Sequence, residues 1–201
     1  FTITPGVYVN QITDTKLAFF PGIDAGFAAT KNIHVFASVS KGMRLPTYTD
    51  LYYKGPNNIG NPNLKIEGAK SIELGLKYKK SKFDIDANIW QIAFDNFISF
   101  ANTGNFDGDL PIFQAIQKDA TLKGYEARIA YHIGEFKNRD FDLDFGFDKV
   151  DGKFKDDTYI PRMPPMAARF GFDIQGENHK IRLELEHIDA QKKLAEFETA
   201  S

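Results

Sequence analysis

Apolar and polar residues alternate one by one along most of this chain, and nowhere does a convincing apolar stripe of helical period appear. Ile72, Leu74, Leu76 and Tyr78 share one side, with Glu73 and Lys77 on the other. Phe141, Leu143, Phe145 and Phe147 alternate with Asp142, Asp144, Gly146 and Asp148, and Ile181, Leu183 and Leu185 with Lys180, Arg182, Glu184 and Glu186. Successive side chains on a strand point to opposite faces, so each segment is a ribbon with one greasy and one charged face. The pattern predicts strands near residues 5–12, 21–29, 33–41, 69–78, 83–99, 122–133, 141–150, 165–174 and 179–189. Within 83–99 the phase changes: Phe83, Ile85, Ala87 and Ile89 share a face, but Trp90, Ile92 and Phe94 share the opposite one. A bulge or an early exit from the sheet near Ile89 is the expected cause.

The connections carry the second signal. Lys31-Asn32, Lys79 to Lys82, Gly134 to Asp140 and Gly176 to Asn178 are short and rich in turn formers. Longer links at 13–20, 42–68, 100–121 and 151–164 alternate with them, and another begins at Ala190. In an antiparallel meander every short link then falls on one rim and every long link on the other, the asymmetry of outer-membrane barrels.

Alternation does not say whether a partner sheet or lipid covers the greasy face. A soluble β-sandwich would bury Leu74, Phe145 and Leu183 together and leave Glu73, Asp144 and Glu184 in water. A barrel would turn Ile23, Ala25, Phe27, Val35, Ala37, Val39, Ile72, Leu74, Tyr125, Ile129, Tyr131, Phe170, Phe172 and Leu183 outward. Asp24, Glu73, Glu126, Arg128, Asp142, Asp144, Arg169, Asp173, Arg182 and Glu184 would then line a wet interior, with mixed signs suited to cross-strand pairs. Tyr78, Tyr125 and Tyr131 would suit the aromatic girdles at the interfaces. A small passive barrel of eight to ten strands would close on its first and last strands, whereas a piece of a larger barrel would leave both edges open.

Composition narrows the field without choosing. Lys and Arg number 25 against 27 Asp and Glu, a formal charge of -2, which gives no basic excess for nucleic acid. Cysteine is absent, removing disulfides and thiolate metal sites. No apolar run is long enough for a membrane helix, but a spanning strand needs only about ten residues. The amino terminus carries no secretory signal pattern, so an outer-membrane reading implies a mature piece or an internal fragment.

Met43-Arg44-Leu45-Pro46-Thr47-Tyr48-Thr49-Asp50-Leu51-Tyr52-Tyr53, followed by Gly60-Asn61-Pro62-Asn63-Leu64-Lys65-Ile66-Glu67, resembles the signature of TonB-dependent outer-membrane receptors. There an F-R-x-P-T-x-x-D-L-Y-like run precedes a G-N-P-x-L-x-P-E-like run; Met43 and Ile66 depart from it. Phe20 to Ala25 resembles the lead-in to that signature, Thr121-Leu122-Lys123-Gly124-Tyr125-Glu126-Ala127 the family's A-x-x-x-G-x-E strand start, and Pro161-Arg162-Met163-Pro164-Pro165 its P-R-I-P-P element. The resemblance implies an all-β antiparallel up-and-down meander that is part of a transmembrane β-barrel, 22 strands in the family and about nine here. It implies one partial barrel domain over residues 1–201 with the plug domain missing. A terminal aromatic strand is missing as well, as expected of an interior-to-late fragment that alone transports nothing. Expected partners are outer-membrane lipid, a metal-chelate or cobalamin cargo, and TonB acting through the plug.

Arg44, Asp50, Tyr52 and Tyr53 are the candidate cargo-binding residues, since a guanidinium and paired aromatics at an outer mouth could grip an anionic or planar cargo. The alternative is structural: Arg44 pairs with Asp50 or an interior carboxylate, while Pro46 and Pro62 shape the loop. His34, His132, His179 and His187 lie on different strands without an H-x-x-x-H pair, so no metal ligand set is assigned; His187, near Glu184, Glu186 and Asp189, is the least unsuitable. No G-x-S-x-G, phosphate-binding glycine loop or H-E-x-x-H occurs; the chain is read as a transporter that needs no cofactor and is not an enzyme. The Met43 to Glu67 region resembles cobalamin and siderophore receptors, and His187 to Thr199 resembles a tail in receptors linked to zinc. Haem receptors usually have a histidine between the two signature boxes; this chain has none between Met43 and Leu64, which disfavours haem.

Overall fold

The computed structural model describes residues 1–11, 17–196 and 198–199. Ten strands and one short helix follow one another: β1 (Thr2–Asn10), β2 (Ala18–Ala28), β3 (Ile33–Arg44), α1 (Tyr48–Tyr52), β4 (Asn58–Ile59), β5 (Glu67–Lys80), β6 (Phe83–Asp107), β7 (Leu110–Glu135), β8 (Asp140–Phe154), β9 (Ala167–Gln175) and β10 (Lys180–Ile188). Nine of them form one antiparallel meander in the order β1-β2-β3-β5-β6-β7-β8-β9-β10, and β4 pairs with β7 alone, in parallel. β1 is hydrogen-bonded only to β2 and β10 only to β9 among the described residues, so the sheet is open at both edges. That rules against closure as a small barrel.

No second sheet covers the greasy face among the described residues. Leu74 is 49% exposed, Phe145 40% and Leu183 63%, so they do not pack into a dry centre and the sandwich reading fails. The register carries the expected outward residues across the sheet in rows, such as Ala37, Leu74, Ile89 and Tyr125, or Ile129, Phe145, Phe170 and Leu185. On the opposite face the charges pair across strands as anticipated. Arg182 reaches Asp144 at 2.9 Å and Asp173, and also Glu184 on its own strand at 2.7 Å; Arg169 bonds Glu186 at 2.7 Å; Lys77 and Asp86 lie 3.0 Å apart.

Two sequence expectations need correction. The 100–121 link is not a loop: β6 and β7 continue through it to a two-residue turn at Gly108-Asp109. At 25 and 26 residues these strands far exceed the roughly ten that a bilayer-spanning strand needs. Nor is there a bulge near Ile89. Pairing runs unbroken from Phe83 to Phe94, and the register first shifts between Phe94 and Phe97, around Asn96 at φ +59°, and again between Asn102 and Phe106. Trp90, Ile92 and Phe94 lie on the same face as the interior charges for a different reason.

That reason is a small inner core. Ala120, Phe154 and Ile160 are buried, and Phe94, Phe97, Leu122 and Met163 pack on them. Ile160 and Met163 belong to the 155–166 link, which folds inward over β7 and β8. Toward this rim the sheet therefore reverses its polarity, greasy inside and polar outside. Below the core, Trp90 lies across Gly124, where a Cβ would stand 2.4 Å from the indole, and the indole nitrogen donates to Glu126 at 3.2 Å. Phe36 sits in the same way on Gly75. The G-x-E pair of the strand-start motif is thus a seat for Trp90.

The inward link is held at its turn by Asp156, which accepts from Lys118 at 2.7 Å and from the hydroxyl and amide of Thr158 at 2.5 and 3.2 Å. The Lys118 ammonium and these donors lower the Asp156 carboxyl from 3.8 to about 2. A carboxylate with a depressed folded-state value contributes stability above its unfolded value, and that contribution fades as pH falls toward about 2. Amide exchange of Thr158 in the complete protein is expected to be unchanged from pH 7 to pH 5 after correction for intrinsic rates, and Asp156→Asn is expected to accelerate it at both values. Equal exchange in the variant would show that the carboxylate does not hold the turn.

Candidate functional site

The two signature boxes meet at the end of β3. Thr47 caps α1, its hydroxyl accepting from the Asp50 amide at 3.1 Å while the Asp50 carboxylate accepts from the Thr47 amide at 2.9 Å. This reciprocal cap is what lets a five-residue helix form, since a helix this short is not stable by propensity. Asp50 is 8% exposed, and Arg44 donates to the same carboxylate at 3.3 Å.

Arg44 makes a second, forked contact. Its Nε and Nη2 reach the two oxygens of Glu67 at 3.4 and 3.3 Å, across the first register pair of β3 and β5. Glu67 is 6% exposed and also accepts from the buried Ile98 amide at 2.8 Å. One guanidinium therefore joins the last residue of β3, the helix and the first residue of β5, and steadies the carboxylate that receives β6. Two shielded carboxylates around a single cation need that cation.

The second box fastens the helix to the tall hairpin. The Asn61 amide donates to the Asp50 carbonyl at 2.8 Å, its side chain donates to the Ala115 carbonyl at 3.2 Å, and its Oδ1 accepts from Asn63 at 3.0 Å. Gly60 passes so close to α1 that a Cβ would lie 2.6 Å from the Leu51 carbonyl carbon and 2.7 Å from the Tyr52 nitrogen. Gln117 on β7 closes the box, accepting from the Lys65 amide at 2.7 Å and donating to its carbonyl at 2.6 Å.

Of the four sequence candidates, the structure brings Arg44 and Asp50 together and gives both structural partners. Tyr52 and Tyr53 remain exposed beside them, and Tyr48 joins this surface, its ring 5.2 Å from that of Tyr52. Sequence reasoning gave no separate role to Glu67, Asn61 or Gln117. Glu67 was findable as the acidic end of the second box, whereas Gln117 has no local signal. The histidines stay apart, and no group of three possible metal ligands occurs among the described residues. His132 instead bonds Asp142 at 2.9 Å. Residue 12 at the end of the first expected strand, residues 13–16 of the 13–20 link and Phe197 of the 187–199 tail lie outside the described residues.

Known proteins share this arrangement of strands. The family described as TonB dependent receptor-like, beta-barrel, matches residues 1–185. A probable hemoglobin and hemoglobin-haptoglobin-binding protein of Haemophilus influenzae is 27% identical over 190 residues, covering 85% of this chain and 19% of that protein. The vitamin B12 transporter BtuB of Vibrio vulnificus is 30% identical over 114 residues, 57% of this chain and 18% of that one. Among solved structures, the copper transporter OprC superposes with a TM-score of 0.76 at 21% identity over 90% of this chain and 28% of its own. The ferric enterobactin receptor PfeA of Pseudomonas aeruginosa gives 0.70 at 16%, over 95% and 31%. The chain spans under a fifth of those two curated relatives and under a third of those two structures.

Proposed function

This chain belongs to the TonB-dependent receptor family, with residues 1–185 matching its β-barrel domain, and on that premise we propose that it is part of the wall of an outer-membrane active transporter. The observation that carries the proposal is a single open sheet whose greasy face has no protein cover among the described residues. From Tyr125 to Ile133 the outward positions of β7 extend about 27 Å along the strand at ~3.4 Å per residue. With a tilt of ~40° that is about 21 Å of height, near the ~25 Å apolar band of such barrels.

The cargo is a scarce metal-bearing nutrient: cobalamin, a ferric siderophore or zinc. Import is coupled to TonB through a plug domain, and the chain works by transport and not by catalysis. Support for the cargo class comes from the names of the relatives, which include a vitamin B12 transporter, a ferric enterobactin receptor and a copper transporter. The Haemophilus influenzae relative brings haem proteins back among the cargos despite the missing histidine. Exposed Tyr48, Tyr52 and Tyr53 are the contacts proposed for a planar or aromatic part of the cargo, and Arg44 and Asp50 the frame that holds them.

The test is growth of a Gram-negative host lacking the complete receptor, with cobalamin, iron chelate, haem or zinc made limiting in turn. A defect confined to one limitation, restored by the receptor and not by a Tyr48→Ala/Tyr52→Ala variant that folds normally, is the expected result. Normal growth under all four would overturn the cargo class.

A further inference from the structure

Toward the long-link rim the wall splits between β2 and β3. Pairing of β2 with β1 continues up to Ala18, and pairing of β3 with β5 up to Arg44 and Glu67. Pairing of β2 with β3 stops lower down, at Gly22 and Ser40. Pro21, the next residue of β2, has no N–H to give a ladder. A cavity of about 360 Å³ lies in this split, with Tyr8, Asn10 and Phe20 on one side and Gly42, Met43 and Leu45 on the other.

Tyr8, Phe20 and Gly42 keep the inward parity of Asp24, Ser38 and Glu73. On the same face Phe36 lies on the bare backbone of Gly75 and Trp90 on that of Gly124, with ring carbons 2.1 and 2.4 Å from where a Cβ would stand. A Cβ at Gly42 would meet nothing within 4 Å. Ala69, its partner on β5, adds only a methyl group, so the bare floor is two strands wide. Phe20 and Tyr8 stand beside it, their rings 6.1 Å apart and tilted by 33°, and Tyr8 is 62% exposed. An aromatic pair that flanks bare backbone without covering it leaves a slot for one more flat ring, stacked on the pair or meeting it edge-on.

We propose that this cleft is a subsite for a planar aromatic ring carried by the cargo. At about 360 Å³ it sits at the low end of the ~300–1,000 Å³ of small-molecule sites, which gives room for one ring with its substituents and not for a whole chelate. The Tyr8 hydroxyl and the Asn10 amide supply polar contacts at its edge. Leu45, on the far side of the cleft, is at most ~10 Å along the chain from Tyr48, so a cargo held by the exposed tyrosines can place a ring here. The subsite deepens the cargo reading above and rests on it: cargos bearing an aryl group are favoured over bare zinc.

The experiment uses the complete receptor carrying Gly42→Cys, which puts a thiol on the floor of the cleft. Gly26→Cys is the control: it faces inward within the continuous ladder of β1, β2 and β3, and a Cβ there also meets nothing within 4 Å. The rate of modification by a soluble maleimide is followed as added mass, with benzyl alcohol or cyclohexylmethanol as the probe. Benzyl alcohol is expected to slow modification of the Gly42→Cys protein about threefold, the protection of a site two-thirds filled, and to leave the control unchanged. Cyclohexylmethanol, alike in size but not flat, is expected to protect much less, and Phe20→Leu added to Gly42→Cys to weaken the protection by benzyl alcohol. Equal slowing in the control, equal protection by the saturated ring, undiminished protection with Phe20→Leu, or no protection by either probe would each overturn the proposal. Protection together with normal growth under all four limitations would overturn the cargo class and leave the ring site standing.

Discussion

Arg44→Met should destabilise the complete receptor by about 2–3 kcal/mol, below the ~3–5 expected for a fully buried pair because the Arg44 side chain is 43% exposed. The substitution keeps length and greasy bulk but leaves Asp50 and Glu67 shielded, close together and without their cation. Arg44→Lys should recover only part of the loss, since one ammonium cannot reproduce the fork to Glu67 while also reaching Asp50. Arg44→Met/Glu67→Gln should be less damaged than the sum of its parts, because the second change removes one stranded charge. Urea titration of the receptor in detergent, followed by its heat-dependent shift in gel mobility, measures all three. A single-variant loss under about 0.5 kcal/mol would mean that the guanidinium does not organise this junction.

Gly60→Ala is expected to cost about 3 kcal/mol locally, although it adds one methyl group. The added carbon meets the backbone of Leu51 and Tyr52, which cannot rotate away as a side chain can. The helix must lift off the hairpin, which breaks the bond from Asn61 to the Asp50 carbonyl. Gly124→Ala is the instructive comparison: its clash is with the Trp90 ring, which can turn aside, so the loss should be smaller and confined to the wall. Amide exchange of Asn61 should rise in the first variant and stay protected in the second. Protection of Asn61 in Gly60→Ala would contradict the close approach.

The wall was legible in the sequence because a sheet with one greasy face writes its period of two directly into the chain, as at Ile72 to Tyr78 and Phe141 to Phe147. The same rule misled at Trp90 to Phe94. Alternation reports that a face is apolar but not what covers it, and there the cover is the chain's own 155–166 link. The hairpin beyond Phe100 was missed because its tip does not keep the alternating greasy face; Asn102, Thr103 and Asn105 read as loop. The signature located Arg44 and Asp50 correctly at one junction. The pairing of Arg44 with Asp50 or an interior carboxylate was one expected alternative, but the sequence did not single out Glu67, which lies 23 residues from Arg44 along the chain.

The seats of Trp90 on Gly124 and Phe36 on Gly75 bear on how neighbouring strands find their alignment during assembly. Sliding one strand by a single residue would turn it inside out and is strongly opposed, but sliding it by two leaves every oily and charged side chain facing the correct way. Such an error is invisible to the alternating code. Displaced by two, Trp90 would meet Leu122 or Glu126 in place of bare backbone, and the indole would have nowhere to lie flat. Each bulky ring and its glycine thus act as a key and a notch, proofreading the slippage that the greasy stripe tolerates.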